Sequence, residues 1–364
     1  MRKIFFIVGS LELGGTEKQI QIMSENLKKK FNLKIIIFHK KGILYDKLKK
    51  NGVEIIDLTS NKNFFLIKYC SVFLKFLQLL KHEKPDVVNF FLPQSYLIFG
   101  WASFFFKKIN FIMSRRSLND YQKKYFIIKF LEKILHKRMK YILTNSLAIK
   151  NQIVDDEGVS ENKVKVIYNS IKINRNQKVF QEKETVSIIL IANFIPYKNH
   201  SLIITPCSTL PKELNYRIFF IGDGDKSYIA KLKKNIFNNN LEKRFEFCGK
   251  VLDTNRYLEK SDIGILCSNE EGLSNALIEY ISYKLPVLAT DVGGNSEIIT
   301  NNFNGFLVEK NNSELFAKKL EELIKNKKLR KKFGNNGYIF AKQNFDLNKN
   351  LKIYENFFND TINN

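Results

Sequence analysis

The sequence predicts an α/β protein made of two doubly wound parallel-sheet domains. Three observations predict it. Short, continuously apolar runs alternate with helical segments, a polar stretch without period interrupts the alternation near mid-chain, and glycine-bearing turns follow many of the apolar runs. Apolarity without alternation marks strands covered on both faces, as in a parallel sheet flanked by helices. At 364 residues with 44% hydrophobic content, the chain has the length of two ordinary cores rather than one.

The first domain is expected over residues 1–169, with strands at 4–8, 34–38, 53–56, 87–91, 111–114 and 141–144. The opening Met-Arg-Lys-Ile-Phe-Phe-Ile-Val-Gly-Ser begins like a signal peptide. Its apolar run stops after Val8 and passes into a glycine-rich turn, so it reads as a buried strand. Gly14 and Gly15 follow, ahead of a helix expected to open at about Thr16. Two glycines there let backbone approach an anion or a substrate closely, and an ordinary strand-to-helix turn has the same composition. Residues 170–185 (SIKINRNQKVFQEKET) are polar, charged and aperiodic, the character of an inter-domain linker. The second domain is expected over 186–344, with strands at 186–191, 217–221, 245–248, 263–267 and 287–289, followed by a helical tail over 345–364.

Four cysteines and four histidines stand scattered, with no CxxC or Cys/His spacing. This points to a reducing compartment without structural zinc. The net charge of +24 is unevenly placed: residues 1–180 carry 34 Lys+Arg against 14 Asp+Glu, a balance of +20, and residues 181–364 carry 26 against 22, a balance of +4. A basic half of this kind can serve nucleic acid, anionic lipid or a phosphorylated substrate. No RRM, KH, zinc or helix-turn-helix signal accompanies it, which argues against nucleic acid. Residues 64–81 and 121–140 interleave lysines with aromatic and aliphatic residues at helical spacing. Lysines interrupt both, so neither is a membrane span. Each fits a helix packed on a sheet as well as one lying in a membrane interface.

The richest segment is Ser268-Asn-Glu-Glu-Gly-Leu-Ser-Asn-Ala-Leu-Ile-Glu-Tyr, where Glu271 and Glu279 stand with seven residues between them. Gly272 and Ser274 read as the turn and N-cap of a helix that passes Leu273 and Asn275 and runs to about Lys284. The free N–H groups and positive dipole end of such a helix suit a diphosphate, while its two carboxylates can accept from a sugar and from a ribose. Glu279 alone would read equally as a solvated helix position. Other loops keep it company: Ile191-Ala-Asn-Phe-Ile-Pro-Tyr-Lys places Lys198 at the mouth of the next helix, Gly222-Asp223-Gly224 reads as a tight turn, and Gly293-Gly294 precede Ser296.

In their order along one sheet edge these motifs resemble the retaining glycosyltransferases of family 4, which have the GT-B fold of two facing Rossmann-like domains with a cleft between them. The resemblance covers nearly the whole chain and is strongest over 189–305, where the lysine loop, Gly222-Asp-Gly, Asp262, the Glu271/Glu279 pair, Pro286-Val-Leu-Ala-Thr-Asp, Gly293-Gly294 and Asn304-Gly305 recur in family order. Asn145-Ser146 and Tyr168-Asn169 look like family segments near the end of the first domain. The resemblance implies that the donor is a nucleoside diphosphate sugar (UDP-, GDP- or ADP-linked) held by the second domain. Lys198 would contact the diphosphate, Glu271 the sugar hydroxyls and Glu279 the ribose, with Gly15 near the diphosphate. It also implies that the tail returns toward the first domain.

Two departures stand out. Many members have Gly-Arg-Leu where this chain has Ala192-Asn193-Phe194, so the arginine that joins the lysine is replaced by Asn193. Many also place a histidine after a first-domain strand, where this chain reads Met113-Ser-Arg-Arg-Ser, making Arg115 and Arg116 the candidates for phosphate or acceptor contact. The implied reaction moves a hexose with retention to a glycan or a polyprenyl-diphosphate-linked saccharide, in surface polysaccharide or glycan assembly. It needs neither cofactor nor metal. An anionic membrane surface is a further expected partner and the cytoplasm, at the inner membrane face, the expected place. A GT-B sugar-nucleotide epimerase and a basic nucleic-acid-binding protein are the alternatives from other classes.

Overall fold

The computed structural model describes residues 1–60, 65–119, 122, 125–173 and 184–363. Most of the expected linker, Phe64, and part of the 121–140 segment lie outside these residues. The chain divides into two compact units, Met1–Ser170 with Asn348–Asn364, and Ile171–Leu347.

The first unit holds a sheet of seven parallel strands: β1 (Lys3–Ser10), β2 (Asn32–Lys40), β3 (Glu54–Asp57), β4 (Val87–Phe91), β5 (Asn110–Arg115), β6 (Tyr141–Thr144) and β7 (Val164–Val166). Their order is β3-β2-β1-β4-β5-β6-β7. Both faces are covered, as the apolar runs require. Ile4, Phe6 and Val8 enter one core while Phe5 and Ile7 enter the other, because successive side chains of a strand point to opposite faces. The last helix, Leu347–Asn363, packs Tyr354 and Phe358 into the core that contains Phe6 and Phe31.

The second unit holds β8 (Val186–Ile191), β9 (Tyr216–Ile221), β10 (Phe245–Gly249), β11 (Ile263–Leu266), β12 (Val287–Thr290) and β13 (Gly305–Val308), ordered β10-β9-β8-β11-β12-β13 and all parallel. This is the α/β class with two doubly wound parallel sheets. Strands β7 and β13 were not expected. β7 is three residues long and edges its sheet, and β13 opens with a glycine, so neither presents a long apolar run. Among the described residues no helix is long and apolar enough to cross a membrane, and the four cysteines are free thiols.

Candidate functional site

In the second sheet the strand order reverses at β8, whose neighbours are β9 and β11. Doubly wound sheets bind ligands beyond the carboxyl ends of their strands at such a reversal. The loop after β8 carries Lys198, at the end of a 3-10 turn Pro196–Lys198. Pro196 fixes φ at the first position of that turn, and Asn199 takes the left-handed φ of 45° that ends it. The loop after β11 carries Glu271. The two loops are tied together: the Asn269 N–H donates to the Tyr197 carbonyl at 2.7 Å, and Asn199 Nδ2 to Asn269 Oδ1 at 3.1 Å. Lys198 Nζ donates to Glu271 Oε1 at 2.6 Å, and Ser268 Oγ donates to the same oxygen at 2.6 Å.

Glu271 is only 8% exposed. Burial works to lower the pKa of Lys198, but the Glu271 carboxylate outweighs it and holds the ammonium above the ordinary lysine value. Lys198 is therefore charged at neutral pH and held in place by its partner. The sequence reading assigned these two residues separate contacts, and the structure brings them into one ion pair.

The helix Asn275–Ser282 opens directly beyond that pair. Ser274 is its N-cap, in extended backbone, and accepts from the Leu277 N–H. The helix ends at Ser282 rather than Lys284, which takes a left-handed φ of 56°. A third loop, after β12, closes on the helix entrance. The Gly294 N–H donates to the Gly272 carbonyl at 3.1 Å, and Thr290 Oγ1 donates to the Ser268 carbonyl. Leu273 is buried beneath this entrance.

Glu279, half-buried within the helix, accepts from Thr254 Oγ1 at 3.4 Å. Its neighbour Tyr280 explains why the helix sits where it does. The Tyr280 ring lies against Gly264 of β11, where a Cβ would approach it to 2.4 Å, and its hydroxyl accepts the Ile191 N–H at 2.7 Å. Helix Lys327–Asn344 braces the other side, with Gly334 and Gly337 against Lys284 and Ile281.

The Gly222-Asp223-Gly224 turn needs correction. Neither glycine is left-handed. Both are needed because the Asn193 segment runs over them: a Cβ on Gly222 would lie 2.0 Å from the Ala192 carbonyl oxygen, and one on Gly224 2.3 Å from that of Phe194. The Phe194 N–H donates to the Asp223 carbonyl at 2.9 Å, leaving Asn193 exposed between them. Asp223 accepts the Gly224 N–H, and Asp225 caps helix Lys226–Asn238 by accepting from Ser227 and Tyr228. Asp262 likewise has a structural bond, accepting the Ser187 N–H at 3.0 Å.

In the first unit, Gly15 is the first residue of helix Gly15–Leu27 and Gly14 its N-cap, without a side-chain cap. Glu17, which the sequence reading did not single out, folds back over Gly14, and burial raises its carboxyl above the usual range. Arg115 and Arg116 are corrected as acceptor contacts. Arg115 is 1% exposed and pairs through Nη2 with Glu132 at 2.8 Å and Glu157 at 3.2 Å. Arg116 donates to Asn169 Oδ1 at 2.8 Å and to the Tyr354 hydroxyl at 3.1 Å, joining the last helix to the end of β5. Both guanidiniums were drawn inward by partners far away in sequence. Glu132, His136 and Glu157 lie within metal-ligating reach of one another. Arg115 Nη2 already holds an oxygen of each carboxylate, so the cluster is an ion-pair network, in which Glu157 Oε1 is buried without a hydrogen-bond partner.

His200, next to the lysine loop, is fully buried and stacks on Phe194 at 4.5 Å. Burial pushes its pKa down to about 4. A histidine depressed below its unfolded value binds its proton more readily in the unfolded chain, so its contribution to stability falls as pH drops from 6.5 toward 4. The loss should approach about 3 kcal/mol. Denaturant titrations at neutral and acid pH should show a shallower acid loss in His200→Phe; an identical loss in both proteins would refute this.

The model of Glycosyl transferases group 1 matches residues 170–340, and that of Glycosyltransferase Family 4 matches residues 13–175. A Campylobacter jejuni relative, N-acetylgalactosamine-N,N'-diacetylbacillosaminyl-diphospho-undecaprenol 4-alpha-N-acetylgalactosaminyltransferase, is 26% identical over 347 residues, spanning 92% of this chain and 93% of its own. The capsular polysaccharide biosynthesis glycosyltransferase CapH of Staphylococcus aureus is 28% identical over 306 residues, 82% of this chain and 84% of its own. The crystal structure of Anabaena HepE in complex with UDP-glucose shares the fold, with a TM-score of 0.88 at 18% identity over 99% of this chain and 100% of that one. The two family matches together run from residue 13 to residue 340, and the chain belongs to the family 4 glycosyltransferases of the GT-B fold.

Proposed function

We propose that this glycosyltransferase moves a hexose from a nucleoside diphosphate sugar, with retention at the anomeric carbon. The acceptor would be a glycan or a polyprenyl-diphosphate-linked saccharide in surface polysaccharide or glycan assembly. The observation that carries this is the Lys198–Glu271 ion pair beside the entrance of helix Asn275–Ser282. There a fixed ammonium and the amides around Gly272 meet at the end of the sheet where the strand order reverses, a place suited to a diphosphate. The relative from Campylobacter, named for a diphospho-undecaprenol acceptor, supports the acceptor class, and HepE with UDP-glucose supports the donor class.

In this reading Lys198 neutralises charge as the bond between the anomeric carbon and the phosphate oxygen breaks. Glu271 positions Lys198 and takes hydrogen bonds from the sugar hydroxyls, while Glu279 accepts from the ribose. The acceptor oxygen attacks the face from which the diphosphate departs, and the departing phosphate oxygen takes the acceptor's proton. Positioning and electrostatic stabilisation then supply most of the rate. No metal is required.

Incubation with UDP-, GDP- and ADP-sugars and a membrane lipid extract tests this, following nucleotide release and the anomeric configuration of the product. One donor should release nucleotide only when acceptor is present, with or without EDTA. Inversion, or loss of transfer on chelation, would contradict the mechanism. Titration calorimetry that detects no heat with any of the three nucleotides would sink the proposal itself, and conversion of donor without acceptor would point to an epimerase.

A further inference from the structure

The helix Phe126–Arg138 closes over the core of the first unit with Leu135 and His136, and Leu135 packs on Gly100. Its other face is unusual for a helix on a parallel sheet. Phe126 is 80% exposed, Ile127 72% and Phe130 59%. Phe126, Phe130, Lys133 and Lys137 fall at i, i+4, i+7 and i+11, a single stripe in which apolar side chains lead and lysines follow. At the far end of the helix Arg138 donates to the Ser103 carbonyl and lies over the Phe104 ring at 5.1 Å. This brings the exposed Phe104 and Phe105, with Lys107 and Lys108 after them, to that end.

The helix carries one acidic side chain, Glu132, and that one is buried against Arg115. The outward face therefore presents bulky apolar groups and positive charge with no carboxylate of its own. We propose that this face is a docking surface for an anionic lipid membrane, with Phe126, Ile127 and Phe130 entering the interface and Lys129, Lys133 and Lys137 meeting headgroup phosphates. Helices of this make-up lie in the plane of a bilayer surface. The charge pattern disfavours a second copy of the chain, because a two-fold interface would set lysines against lysines. The proposal rests on the surface alone, and vesicle binding is measured without any sugar nucleotide, so its outcome is separate from that of the proposed transfer.

Sedimentation of the full chain with phosphatidylcholine vesicles, and with vesicles that also contain phosphatidylglycerol, provides the test. Binding should require phosphatidylglycerol. It should weaken as salt shortens the screening length from about 10 Å at 0.1 M to about 3 Å at 1 M. Replacing Lys129, Lys133 and Lys137 with glutamine should weaken binding roughly fivefold per lysine. Replacing Phe126, Ile127 and Phe130 with serine should weaken it about tenfold or more. Thermal midpoints read alongside separate lost binding from lost folding, and the lysine set keeps the test open should the serine set unfold. Equal binding to both vesicle types, no binding to either, or undiminished binding by both folded variants would overturn the proposal. So would a solution dimer that the serine substitutions dissociate, or RNA binding that the lysine substitutions abolish while vesicle binding persists.

Discussion

Lys198→Ala should lower sugar transfer by about two orders of magnitude, the scale of losing one charge contact made to the transition state. The effect should fall on kcat and on kcat/KM alike if the ammonium acts on the departing diphosphate. A change confined to KM would mean that it holds the donor equally in ground and transition states. The structure adds a complication to this variant, because Lys198 is also the ion-pair partner of Glu271, which is 8% exposed. Alanine leaves that carboxylate with the Ser268 hydroxyl as its remaining side-chain donor. The double variant Lys198→Ala/Glu271→Gln isolates the stability effect: relief of the stranded charge should bring its denaturant midpoint back toward that of the wild type. Transfer by Lys198→Ala at the wild-type rate, in initial-rate assays with saturating donor, would remove the role assigned to Lys198.

How much of this was legible in the sequence depends on the range of the interaction concerned. Strands with compact, largely apolar runs, such as β1, β4 and β8, were readable because both of their faces are buried. The Ser274 cap and the helix after it were readable because capping is a local matter. That Lys198 and Glu271 lie at the same sheet edge also followed from the order of strands and loops. Their direct contact did not, since it depends on β8 and β11 being neighbours, 73 residues apart in sequence at the pair itself. The Gly222 and Gly224 pair looked like a turn for the same reason. What selects glycine there is the backbone of another loop, Ala192 to Phe194, which no local pattern announces. Arg115 and Arg116 failed most completely. A pair of arginines after a strand looks like an anion site in sequence, and their partners Glu132, Glu157, Asn169 and Tyr354 lie 17 to 238 residues away.

Arg115→Met should accordingly cost stability rather than specific activity. The wild-type guanidinium, 1% exposed, neutralises Glu132 and Glu157, both of which are also out of water. The rest of the network depends on those carboxylates. Gln122 donates to Glu132, while His136 bonds Glu157 through Nε2 at 2.7 Å and the Tyr96 hydroxyl through Nδ1 at 2.8 Å. Burial works to raise the Glu157 pKa, but the His136 bond and the Arg115 charge outweigh it and hold the carboxyl below its usual value. Its stabilising contribution is therefore present above the ordinary carboxylate range and is lost as pH falls through the depressed value. Removing the arginine strands two buried carboxylates, a change that costs about 3–5 kcal/mol, or on the order of 10 °C in melting temperature for a unit of this size. Denaturant midpoints at neutral pH measure this directly. Replacing Arg115, Glu132 and Glu157 together with apolar residues of similar volume should recover most of the loss, because a buried ion-pair network contributes little over a well-packed apolar core. A stable Arg115→Met protein whose sugar transfer nevertheless collapses would reverse the assignment, and would return Arg115 to the acceptor role that its position after β5 first suggested.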